Sequence, residues 1–245
     1  MTTPTSGQVF SPQLVIAFDA DDTLWHNEIY YRRATEKFKE FVGGGRDPSE
    51  IERALMEIEV RNIQWFGYGF KSFTLSMVET AMTLTNGAVP AETLRNILDL
   101  GKSMLDSDVL LFEHARATLA KLAPDYDLML ITKGDLVEQQ NKLTRSGLGV
   151  YFTYTEIVPE KTTQIYQAIL DRYDISPRRF VMVGNALKSD ILPVLSLGGK
   201  AVLVPYEHTW THENVEADPR TYHQVEHLGL VPDVIAELEA ELAAP

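Results

Sequence analysis

The chain has 245 residues, 44% of them hydrophobic, and its 22 Lys and Arg against 35 Asp and Glu give a formal net charge of -13 at pH 7. That balance argues against a nucleic-acid-binding surface, because phosphate backbones demand clustered Lys and Arg, but it leaves room for a small anion held by a few local cations. Cys is absent, which removes disulfides, thiolate metal sites and cysteine nucleophiles together and fits an intracellular protein.

The N-terminal stretch MTTPTSGQVFSPQ has no basic segment followed by an apolar one. No run approaches the roughly 18 apolar residues of a membrane span. The expectation is a soluble, cytoplasmic protein, monomer or homodimer, with neither membrane nor nucleic acid as partner. Leu14 to Phe18 then forms a short apolar run, read as a buried strand, which opens into FDADDTLW at residues 18–25. Three carboxylates in four positions, Asp19, Asp21 and Asp22, repel one another at a strand mouth unless a cation neutralises them.

Helices are predicted near 28–42, 49–65, 70–85 and 91–105, separated by the Gly- and Pro-bearing turns GGGRDP, WFGYG and TNGAVP. Short connections between four helices predict a small antiparallel bundle over residues 26–106. It interrupts an α/β domain made of residues 1–25 and 107–245. Within the bundle, RNIQWFGYGFK at 61–71 sets Arg61, Trp65, Tyr68 and Lys71 around two glycines. Aromatic packing of a helix corner is the simpler reading, and substrate selection is the alternative.

From Leu128 onward short apolar runs alternate with amphipathic segments. LMLI at 128–131 ends at Thr132, FVMV at 180–183 ends at Gly184, and AVLV at 201–204 ends at Pro205. Segments 136–146, 161–173 and 188–197 carry apolar residues at three- and four-residue spacing. This alternation predicts a Rossmann-like parallel sheet covered by helices on both faces. EHTWTHENVEADPRTYHQ, after Pro205, reads as a long loop before a closing helix from about Val231 to Leu242. The pairs His208 with His212 and His223 with His227 have i, i+4 spacing, but zinc is disfavoured, since the first pair lies in a segment without helical pattern and no Cys is available.

In an open parallel sheet, ligands bind beyond the carboxyl ends of the strands. The candidate reactive residues fall there: Asp19 and Asp21 after the first strand, Thr132 and Lys133 after LMLI, and Gly184 and Asn185 after FVMV. Lys161 follows the apparent strand TEIV at the start of a helix. Asp22 reads as a structural neighbour, and Thr23 as a residue that fixes the loop by hydrogen bonding its backbone.

These features resemble the haloacid dehalogenase superfamily over essentially the whole chain. Asp19, Ala20, Asp21, Asp22 and Thr23 match its first motif; LMLIT with Thr132 matches the second; Lys161 takes the place of the third-motif lysine; and GNALKSD, from Gly184 to Asp190, resembles the acidic fourth motif. The helical insertion is similar to the family's small cap. The resemblance implies a phosphatase acting on a small phosphorylated metabolite, with Asp19 as nucleophile and Asp21 as general acid and base. Thr132 would hydrogen-bond the phosphoryl group, and Lys161 would offset charge. Magnesium would be held by Asp19, the Asp21 backbone carbonyl and fourth-motif oxygens, here Asn185 and Asp190.

Two positions depart from the family pattern. Asn185 replaces an acid, so either it ligates more weakly with support from Asp190, directly or through water, or the site binds magnesium poorly. Lys133 stands where Asn is common, and an added cation there would grip the phosphate or another anionic group of the substrate. Dehalogenation of a 2-haloacid and non-catalytic binding of a phosphate ligand remain as alternatives.

Overall fold

The computed structural model describes residues 14–210, 213 and 215–243; segment 1–13 and His212 lie outside them. Six strands, β1 Val15–Phe18, β2 Asp127–Lys133, β3 Tyr154–Val158, β4 Phe180–Gly184, β5 Lys200–Leu203 and β6 His223–Gln224, form one sheet in the order β3-β2-β1-β4-β5-β6. Every pairing is parallel. The central strands are apolar runs because both faces are buried, and successive side chains divide between those faces.

Ile16, Phe18, Leu128, Leu130, Val181 and Val183 pack on one side against Leu119 and Leu122 of α5 (Ala115–Leu122) and Ile235 and Leu238 of a C-terminal helix, Val231–Ala243. Ala17, Met129, Ile131, Phe180 and Met182 pack on the other side against Tyr166, Ile169 and Leu170 of a helix at Thr163–Arg172.

Between β1 and β2, ahead of α5, stand four helices: α1 Glu28–Val42, α2 Pro48–Phe66, α3 Phe70–Leu84 and α4 Ala91–Leu105. They match the predicted segments to within a residue at each end. Their apolar stripes meet in a separate core around Phe38, Ile51, Leu55, Phe73, Met77 and Ile97. The start of α2 is fixed locally, since Asp47 accepts from the Ser49 N–H and Pro48 occupies the first turn. The start of α1 is held from the carboxylate cluster: Asp22 accepts from the backbone N–H groups of Asn27 and Glu28 at 2.9 and 3.0 Å. That gives Asp22 a structural duty. Its own backbone has φ 62°, a left-handed conformation that Asp tolerates better than most residues.

The remaining helices in chain order are α6 Leu136–Ser146, α7 Thr163–Arg172, α8 Leu192–Ser196 and α9 Val231–Ala243. Three features differ from the sequence reading. The helix α5 had no counterpart in it. The expected loop at 207–224 ends in β6. The segment 188–197 is broken into a wide turn at Leu187–Ile191, where the Ile191 N–H reaches the Ala186 carbonyl five residues back at 3.3 Å, followed by α8. Pro193 accounts for the break, because it lacks an N–H and its ring would meet the carbonyl four residues earlier in a continuous helix. Among the described residues no helix is long and apolar enough to cross a membrane.

Candidate active site

The chain winds outward from β1 through β2 to β3, then returns to the other side of β1 for β4, β5 and β6. The crevice between β1 and β4, where winding reverses, is where an open sheet of this kind accommodates a ligand. The Asp19 N–H donates to the Val183 carbonyl at 2.9 Å, so the chain leaves β1 alongside Gly184 and Asn185. Asp19, Asp21, Thr132, Lys133, Lys161, Asn185 and Asp190 all line one cavity of about 510 Å³, to whose lining α1 to α3 also contribute. All seven residues anticipated from sequence are thus brought together.

At its base lies a buried charge cluster. The Lys161 side chain is 2% exposed, and its Nζ donates to Asp19 Oδ1 at 2.5 Å and Asp190 Oδ1 at 2.7 Å. The second Asp190 oxygen accepts the Ala186 N–H at 3.0 Å. Gly184 permits this arrangement, since a Cβ there would stand 2.3 Å from the Asp190 carboxylate. Lys161 reaches the cluster from just ahead of α7, because Thr162, not Lys161, caps that helix by accepting from the Ile165 N–H. Burial works against the Lys161 charge, but Asp19 and Asp190 outweigh it and hold the ammonium above its ordinary value. Burial pushes Asp19 up despite that ammonium, with Asp190 adding to the effect. Two carboxylates therefore share one cation.

Thr23 differs from expectation. Its hydroxyl leaves the loop backbone and points inward, donating to Asp19 Oδ2 at 2.9 Å and lying 3.2 Å from Asn185 Oδ1. Its backbone N–H already makes the turn by bonding the Ala20 carbonyl, which frees the side chain for the site. The same contacts show that an Asp19 oxygen and the Asn185 amide oxygen converge on one small volume. Asn185 is oriented for this by donating through Nδ2 to Thr209.

A hard cation prefers such oxygens, and the excess negative charge beside Lys161 suits it, so the residues present fit magnesium. Among the described residues no three of His, Asp and Glu converge as a metal cluster, so such a site would rest on the Asp19 carboxylate and the Asn185 amide oxygen. Thr132 Oγ1 is buried and, among the described residues, has no hydrogen-bond partner. A donor left unsatisfied at a cavity wall is unfavourable by itself and suits an incoming acceptor.

Asp21 is held by residues not anticipated. Lys142 on α6 donates to both carboxylate oxygens at 2.8 and 2.9 Å, Gln139 to one at 2.8 Å, and the Trp25 indole to the other at 2.7 Å. Lys142 also reaches Asn27 Oδ1 at 3.0 Å. Lys142 lies four residues after Glu138 and three after Gln139 on α6, a polar stripe that sequence periodicity could have flagged. Glu138 accepts the first N–H of α3, that of Phe70, at 3.0 Å, tying the helical insertion to the same stripe. Gly69 leaves space for this, with φ 113° and a would-be Cβ 2.8 Å from the Glu138 carboxylate.

The Lys133 charge is met by Glu213 and by Ser189 at 3.1 Å, and its Nζ stands 4.5 Å above the Tyr68 ring. Of the four residues singled out in segment 61–71, only Tyr68 lines the cavity, donating to Glu160 at 2.5 Å. Arg61 pairs with Glu79, Lys71 pairs with Asp135, and Trp65 is 74% exposed. His208 contacts Arg32, whereas His227 stacks on His114 with centroids 4.7 Å apart.

Residues 14–198 match the family model described as haloacid dehalogenase-like hydrolase. A solved structure of a haloacid dehalogenase-like hydrolase from Xanthomonas campestris is 37% identical with a TM-score of 0.85, covering 98% of this chain and 97% of that one. The 2-haloacid dehalogenase of Pseudomonas syringae shares the fold at 21% identity and a TM-score of 0.64, over 92% of this chain and 99% of that one. The glyceraldehyde 3-phosphate phosphatase of Pyrococcus furiosus is 31% identical over 98 residues, 38% of this chain, and the match spans only 41% of that relative's length.

Proposed function

The chain belongs to the haloacid dehalogenase-like hydrolases, and from that premise we propose that it is a magnesium-dependent phosphatase acting on a small phosphomonoester, with residues 26–106 as the cap over the substrate. The observation that carries this reading is the second carboxylate. Asp21 faces the same cavity as Asp19 and is oriented by Lys142, Gln139 and Trp25. An alkoxide leaving group needs a proton donor, whereas a halide needs none. The similarity to a glyceraldehyde 3-phosphate phosphatase adds support.

In the proposed reaction an Asp19 oxygen attacks phosphorus in line with the leaving oxygen; Lys161 and Thr23 aim that carboxylate, and Lys161 offsets part of the burial that opposes its ionisation. The unpartnered Thr132 hydroxyl donates to a phosphoryl oxygen. Asp21, released from part of its hydrogen-bond set, protonates the leaving oxygen and then takes a proton from the water that hydrolyses the aspartyl phosphate. The Asp19 carboxylate, the Asp21 backbone carbonyl and the Asn185 amide oxygen would hold magnesium, which when bound would supply charge neutralisation at the phosphoryl oxygens, and Asp190 acts through Lys161. Phosphate release from a panel of phosphomonoesters, abolished by EDTA and in Asp19→Asn, is the expected result. Halide release from 2-haloacids that persists in EDTA and in Asp21→Asn would establish dehalogenation instead.

A further inference from the structure

The part of the cavity away from Lys161 is walled by the helical insertion, and its chemistry is one-sided. Glu28 at the start of α1 and Glu59 on α2 both line it, beside Tyr31, Leu55 and Phe73. Arg32 is the cation on the same wall, and it is engaged with His208. Burial pushes Glu59 up to about 7 with no cation countering it. Burial, then Asp22 and Glu59, push Glu28 up to about 8 against a smaller opposing effect of Arg32. Half-buried carboxyl groups whose burial outweighs any neighbouring cation carry a desolvation cost that a ligand can relieve. At the strand-end part of the same cavity, Thr132 Oγ1 and Gln139 Oε1, on residues 1% and 3% exposed, have no hydrogen-bond partner among the described residues, as a site awaiting a ligand would show.

We propose that Glu28 and Glu59 determine specificity, selecting a phosphomonoester whose distal end presents hydrogen-bond donors, hydroxyl or ammonium, and rejecting one that presents a carboxylate there. This rests on the phosphatase reading. The phosphate is anchored at the strand ends by Thr132 and the Lys161 cluster, so the rest of the molecule extends toward α1 and α2. Above about pH 8, where Glu59 and most of Glu28 are ionised, a second carboxylate in the substrate would meet like charges in a partly desolvated space and be repelled. Hydroxyl or ammonium groups supply the donors that the two carboxyl groups lack, and Leu55 and Phe73 offer apolar contact to a carbon skeleton.

The test is kcat/KM with magnesium at pH 8.5 over two matched trios: phosphoethanolamine, glycerol 3-phosphate and phosphoglycolate; and glucosamine 6-phosphate, sorbitol 6-phosphate and 6-phosphogluconate. The parent protein should favour the donor-bearing members of at least one trio over its carboxylate by 10-fold or more, and the amine-to-polyol ratio identifies which donor is preferred. Glu59→Gln and Glu28→Gln should each narrow the donor-to-carboxylate ratio by at least 5-fold. Glu59→Asp, which keeps the charge, should restore most of it, an outcome that a merely structural role would not produce. Hydrolysis with no preference for the donor-bearing members in either trio, or ratios unmoved in both Gln variants, overturns the inference alone. No hydrolysis of any member overturns the phosphatase reading and this inference with it.

Discussion

Replacing Lys142 with Met keeps the aliphatic stem and removes the ammonium that holds Asp21. The pair is largely shielded, with side chains 12% and 20% exposed, and joined by contacts of 2.8 and 2.9 Å. Breaking a fully buried pair from one side costs about 3–5 kcal/mol. Here Asp21 keeps the Gln139 and Trp25 donors, so about 2 kcal/mol is expected, given that a hydrogen bond to a charged group contributes roughly 1.5–3 kcal/mol. For a chain of this size that corresponds to a fall of about 4–8 °C in melting temperature. Asp21→Asn removes the other partner and leaves Lys142 near Glu138 at 3.6 Å. A double-mutant cycle by denaturant unfolding should therefore show a coupling energy of about 1–2 kcal/mol between the two sites. Additivity within about 0.5 kcal/mol would refute the assignment of Lys142 as the cation that neutralises Asp21.

Thr132→Val removes a hydroxyl that has no protein partner, so its melting temperature should equal or exceed the parent's, while kcat/KM for phosphate esters falls about 10- to 1000-fold, as for loss of a transition-state donor; a clear loss of stability would mean the hydroxyl is satisfied within the fold. Lys161→Met leaves Asp19 and Asp190 buried without their shared cation and should lower stability by about 3–5 kcal/mol, with millimolar magnesium restoring part of it; melting unchanged by the substitution would contradict the pairing. Glu28 and Glu59 have folded-state values of about 8 and about 7, above the ordinary 4.5. The folded state then binds more protons, so their contribution to stability is complete below about pH 4.5 and is lost as pH rises through 7 to 8. Thermal melting between pH 5 and 8.5 should fall less steeply in a Glu28→Gln, Glu59→Gln double variant than in the parent, and equal slopes would refute the burial of unpaired carboxyl groups there.

The residues at the strand ends were legible because each directly follows an apolar run, so topology alone carries Asp19, Thr132 and Asn185 to one crevice. Asp190 and Lys161 were legible from motif spacing, although their mutual contact depends on the wide turn at Leu187–Ile191 and the close approach at Gly184. The partners of Asp21 were harder to see. Trp25 stands four residues away in the same short stretch, but Lys142 is separated from Asp21 by the whole helical insertion, and only the tertiary docking of α6 brings them together. Glu213 lies in a polar segment without periodicity, so nothing local connects it to Lys133. The helix α5 carries apolar residues at four- and three-residue spacing, Ala115, Leu119 and Leu122, yet eight residues give a weak periodic signal. The two residues of β6 give none, because a strand that short is defined by its pairing with β5.

The nucleophile assigned to Asp19 is tested most directly by acid-quenching a single turnover of the magnesium-loaded protein and locating the phosphoryl group by peptide mass analysis. A base-labile acyl phosphate on the peptide containing Asp19, absent from Asp19→Asn, is the predicted result. Phosphate release at the parent rate from Asp19→Asn, or a trapped phosphoryl group on another residue, would contradict the account.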